Sequence, residues 1–189
     1  MDSPARTAHH RIKTVNNDTI LRGVTEVLRQ GEILLRSLDA AAYTTHLPRA
    51  FNASVGGHYR HCLDHFQSLL NALDADELNY DNRRRDPRIE NDLAFALGET
   101  RRILSGCSSI APALLTRAIR VRCKVSHGEE DAPVALSTFG RELMYAVAHA
   151  VHHYALIGVM CSMLDVPLPD GFGVAPSTLK HLAQIDAAR

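Results

Sequence analysis

Apolar residues recur at helical spacing over four long stretches of the chain, separated by polar segments rich in turn formers. In the first, Ile20, Leu21, Val24, Val27, Leu28, Ile33, Leu34 and Leu35 form one face over about 24 residues, behind the capping candidates Asn16, Asn17 and Asp18. Thr44-Thr-His-Leu-Pro48 ends it. The spacing predicts a second helix from Val55 to about Leu73, capped by Ser54, and then a polar loop from Asp74 to Arg85. Asp86-Pro87 pairs an N-cap with proline at the first helical position, so a third helix runs to about Leu104 and stops at Ser105-Gly106. The fourth starts at Ser137 or Thr138, continues to about Leu164 and ends at Asp165-Val-Pro-Leu-Pro.

Between the third and fourth stretches the period changes. Residues 117–125 alternate charged and apolar side chains, as a half-exposed strand does, and Val134–Thr138 can pair with them. A short last helix, Thr178 to Ala187, follows a cap at Ser177. The pattern therefore predicts an all-α protein, an antiparallel four-helix bundle with a small inserted β-hairpin. Residues 1–16 read as a disordered N-terminal tail and 17–189 as a single domain.

With 189 residues, 46% of them hydrophobic, the chain has the makings of one soluble domain with a full core. Lys plus Arg balances Asp plus Glu at 21 each, so no overall positive field draws it to nucleic acid, and basic residues are not interleaved with stacking rings. The N-terminus, which carries His9 and His10, lacks the apolar core of a secretion signal. The apolar stretch near 143–164 is interrupted by three histidines and makes a poor membrane span. Cys62, Cys107, Cys123 and Cys161 form no C-x-x-C pair and read as free thiols of a reducing, cytoplasmic compartment. There is no glycine-rich phosphate loop and no serine nucleophile elbow.

The excess lies in histidine, 11 in all. His149 and His153 are four positions apart on the fourth helix, hence one turn apart on one face. At about 100° per residue, His58, His61, Cys62 and His65 share the inner stripe of the second helix. His152 points roughly opposite the apolar face. A buried neutral imidazole needs a partner for its donor and its acceptor, and several in one pocket multiply the demand. A divalent ion meets it by taking one nitrogen from each ring. The competing reading is a set of core histidines bonded to carboxylates or water. Glu142 reads equally as a partner behind the ligands and as a surface ion, and Cys62 as buried packing rather than a ligand.

A helix opening Ser54-Val-Gly-Gly-His-Tyr-Arg-His61, followed much later by His149-x-x-x-His153, resembles the DinB-like (damage-inducible, YfiT-like) superfamily over most of residues 17–165. That resemblance implies an antiparallel four-helix bundle, often a homodimer, holding zinc, nickel or iron with three histidines. By position the ligands fall on His61, His149 and His153, with His58 and His65 as competing or neighbouring candidates. The segment Tyr80–Asp86 also looks like a recurring element of one subgroup. Some members are thiol S-transferases and others resemble metal-dependent hydrolases. The expectation is thus a metal-dependent enzyme acting on a small thiol or another small molecule, with Arg60, Arg83, Arg84 and Arg85 available to an anionic cosubstrate. The alternatives are a non-catalytic metal- or ligand-binding module and a structural bundle with core histidines and no metal. No partner nucleic acid or membrane is expected.

Overall fold

A computed structural model describes residues 17–128 and 131–189; the expected tail, 1–16, lies outside the described residues. The protein is mostly helical, with a small three-stranded sheet. Four long helices carry the mass: α1 (Asn17–Ser37), α3 (Val55–Asn71), α5 (Leu93–Ser108) and α6 (Phe139–Met163). Shorter helices are α2 (Ala40–Thr44), α4 (Pro87–Asn91) and α7 (Pro176–Ala187). The strands are β1 (Glu77–Asn79), β2 (Ala118–Arg122) and β3 (Val134–Thr138).

Side chains that compete for backbone N–H groups set the helix starts. Ser54 accepts from Gly57 N at 3.0 Å and opens α3, and Thr138 accepts from Arg141 N at 3.3 Å and opens α6. Two expected helices are each broken by such a cap. Asp39 accepts from Ala42 N and separates α2 from α1. Asp92 accepts from Phe95 N at 3.0 Å, ending α4 and starting α5. Ser105-Gly106 does not stop α5, which runs on to Ser108.

The hairpin of β2 and β3 forms in antiparallel register, Ala118 opposite Thr138 and Arg122 opposite Val134. The expected loop after α3 contributes a strand as well: β1 pairs in parallel with β2, Leu78 opposite Val121. Asn79 then accepts from the backbone N–H groups of Asp81 and Asn82, turning the chain back toward the helices.

α1 packs on α5 and α6, and α3 packs on the same two helices. The core they enclose includes Leu28, Leu35, Tyr59, Leu63, Phe66, Ile103, Leu143, Tyr154 and Ile157. Gly31 lets α1 approach the hydroxyls of Tyr59 and Tyr154 so closely that a Cβ there would collide with both. Among the described residues, α6 alone is long and apolar enough to cross a membrane; here Leu143, Ala146, Ala150, Tyr154, Ile157 and Cys161 face the core.

Candidate metal centre

The two histidine-bearing helices, α3 and α6, lie directly against each other. Behind the histidines, the Tyr59 and Tyr154 rings run parallel, their centroids 6.1 Å apart. Thr100 donates its hydroxyl proton to Ala96 O, so the Tyr59 hydroxyl donates to Thr100 Oγ1 at 2.9 Å.

His61, His149 and His153 each offer a ring nitrogen, and the three nitrogens lie within 4.8 Å of one another. His61 Nε2 and His149 Nε2 are 2.8 Å apart. His58 Nδ1 meets His153 Nδ1 at 2.9 Å. His65 stands on the other flank, its centroid 4.3 Å from that of His149 and 4.9 Å from that of His61. All five inner histidines of the sequence therefore belong to one cluster, and His152 is exposed beside it. Without a metal, each nitrogen–nitrogen contact sets one N–H against one lone pair. Imidazole nitrogens are the donors a divalent transition metal takes, so His61, His149 and His153 would hold such an ion with one nitrogen each.

The donor set is neutral, as metal ligation demands. Burial, reinforced by the Arg83 charge and by neighbouring imidazoles, holds His61 down to about 4. Burial, then His61 and His149, takes His153 to about 3. His149 and His58 are lowered by burial and by His152. His65, with only 3% of its surface exposed, is lowered to about 2 by burial, then by His149 and His61.

The segment after β1 closes one side. Arg83 donates from Nη1 to His65 Nε2 at 3.2 Å, which occupies that lone pair and leaves the proton on Nδ1. Tyr80 lays its ring 5.0 Å from His65 and donates its hydroxyl to Glu142 Oε2 at 2.9 Å. Glu142, 2% exposed, also accepts from Ser137 at 2.6 Å and Arg141 at 3.1 Å. It is a buried anchor for the segment and, among the described residues, makes no hydrogen bond to an imidazole. Tyr145 stacks on His149 at 5.6 Å. In the sequence, Tyr80 is marked only by its place in the Tyr80–Asp86 segment and Tyr145 only by its aromatic character beside the histidine pair.

The other sequence candidates separate. Arg60 pairs with Asp64 at 2.9 Å and Glu90 at 3.0 Å. Arg84 turns to a separate polar crevice with Asp64, Asp86 and Arg102. Cys62 is buried and its thiol is pushed far up by burial, so it packs rather than ligates. An apolar groove of about 440 Å³ lies elsewhere, where Ile20 faces Met144, Val147 and Val151, and no titratable side chain lines it.

No family model matches the sequence, and no solved structure matches it significantly. Among curated proteins, FK506-binding protein 5 of Rhizopus delemar is 35% identical over 105 residues. The match covers 56% of this chain and 27% of that protein, so the chain spans about a quarter of its relative's length.

Proposed function

We propose that the protein binds one divalent transition-metal ion through His61, His149 and His153, as the resemblance to DinB-like four-helix bundles implies, and that it is a metal-dependent enzyme of the thiol S-transferase or hydrolase type. One observation carries the reading: three imidazole nitrogens from stretches nearly ninety positions apart lie within 4.8 Å of one another. Four long helices, each packed on two of the others, support the bundle, and the β2–β3 hairpin supports its insertion.

Zinc, nickel and iron all suit imidazole donors. A bound ion would supply a Lewis acid with open positions, lowering the pKa of a coordinated water or thiol. The chain's own groups do the rest. His58 contacts His153 and fixes the orientation of that ring. Tyr145 covers one face of His149, and Tyr80 covers His65. Glu142 holds Tyr80, and so the segment that carries Arg83. Cytoplasmic placement, a small thiol as substrate and a homodimer belong to the same proposal.

The test is metal analysis of protein prepared without a polyhistidine tag. About one equivalent of transition metal is expected, lost in His61→Ala, His149→Ala and His153→Ala. Metal-free parent protein after incubation with zinc or nickel sinks the reading, as does full metal content in all three variants.

A further inference from the structure

The charges around the cluster do not balance. Three neutral imidazoles leave the two positive charges of a bound divalent ion uncompensated, and Arg83 adds a third beside His65. The nearby carboxylates are engaged elsewhere. Glu142 is held by Tyr80, Ser137 and Arg141. Asp64 and Glu90 share Arg60, and Asp64 feels the Arg83 charge only from beyond ion-pair distance. Asp81 accepts from the Lys124 backbone at 2.8 Å. Among the described residues, Arg83 has no carboxylate within ion-pair distance, and its buried Nε makes no hydrogen bond within the protein. Its one hydrogen-bond partner is an uncharged imidazole.

A half-buried guanidinium held this way is unusual, because a charge taken from water normally finds an opposite charge. We infer that Arg83 is a substrate-binding residue: the small molecule that reaches this centre carries a carboxylate, gripped by the Arg83 fork while its other donor group faces the three histidines. This rests on the metal reading above. A guanidinium beside the cluster with no ion pair among the described residues matches a singly charged planar group, since its paired N–H donors fit a carboxylate edge. A dianionic phosphate would call on a second cation, and Arg60, the next guanidinium along, is already neutralised by two carboxylates. Tyr80 and its bond to Glu142 set the position of the segment from which Arg83 reaches in.

The experiment uses cobalt-loaded protein, with cobalt content measured first and binding followed by visible absorption. The probes are mercaptoacetate and 2-mercaptoethanol, thiols with and without a carboxylate. The parent should bind mercaptoacetate about 10-fold or more tightly than mercaptoethanol, as a charge-assisted bond to guanidinium implies. Arg83→Gln should keep its cobalt and lose that preference, while Arg84→Gln keeps both. Equal affinity of the parent for the two thiols overturns the inference without needing any variant to fold, and leaves the metal reading standing. A preference that survives in Arg83→Gln also overturns it. Inorganic phosphate displacing mercaptoacetate more effectively than acetate does would overturn the carboxylate assignment. A parent that takes up no cobalt overturns the metal reading and the inference with it, whereas cobalt uptake with equal thiol affinities overturns the inference alone.

Discussion

Removing one oxygen atom, in Tyr80→Phe, tests how the segment beside the histidines is held. The hydroxyl donates to Glu142 at 2.9 Å, and both residues are almost fully buried, at 3% and 2% exposure. Burial, with the Glu142 carboxylate next to it, pushes the Tyr80 phenol far above its ordinary range, so it remains a donor at every accessible pH. A hydrogen bond to a charged group is worth about 1.5–3 kcal/mol. Glu142 keeps two other donors, Ser137 and Arg141, so the carboxylate is not stranded and the loss should be about 2 kcal/mol. For a chain of this size that lowers Tm by about 4–8 °C. Glu142→Gln retains an acceptor without the charge, and against it the same hydroxyl is worth only about 0.5–1.5 kcal/mol. A double-variant cycle by urea denaturation should therefore show a coupling of about 1 kcal/mol. A Tyr80→Phe protein melting within about 1 °C of the parent would refute the argument, as would strict additivity.

Three other outcomes follow from the same geometry. In metal-free protein, His61, His153 and His65 titrate at about 4, 3 and 2, below the ordinary histidine value of 6.5. Between those values and 6.5 the unfolded chain binds more protons, so stability is full above 6.5 and falls as pH drops toward 4; a urea midpoint unchanged from pH 7.5 to 5 would contradict this. Gly31→Ala forces a methyl group against the Tyr59 and Tyr154 hydroxyls and should cost about 1–3 kcal/mol, read by thermal denaturation, with no change if α1 is free to shift. Asp92→Ala removes the cap between α4 and α5 and should cost about 0.5–2 kcal/mol in the same assay.

Much of this arrangement was legible in the chain because it rests on local chemistry. Ser54 caps α3, Asp86-Pro87 opens α4, and alternation at 117–125 gives a strand. The breaks at Asp39 and Asp92 were missed, since apolar periodicity continues across both and only the capping character of aspartate marks them. β1 was missed because three residues are too few to show a period, and its partner lies some forty positions downstream. The site was half legible. Helical spacing put three histidines on the inner stripe of one helix and two on one face of another, but it could not show that the two faces meet or separate His61 from His58 and His65. Which ring nitrogens come together, and that Arg83 takes up His65 Nε2, is a matter of tertiary contact. Glu142 fits neither of its two sequence readings, partner behind the ligands or surface ion: it is buried and held by Tyr80, Ser137 and Arg141.

Because the triad rides on two rods packed along their length, with a pair of parallel tyrosine rings wedged behind it, the ordering of the donors is accomplished when the chain folds. In the proposed metal site, an arriving ion would meet an aperture of nearly fixed width. Discrimination among metals should follow from how well each tolerates that width, and loaded and empty forms should superimpose closely along both rods.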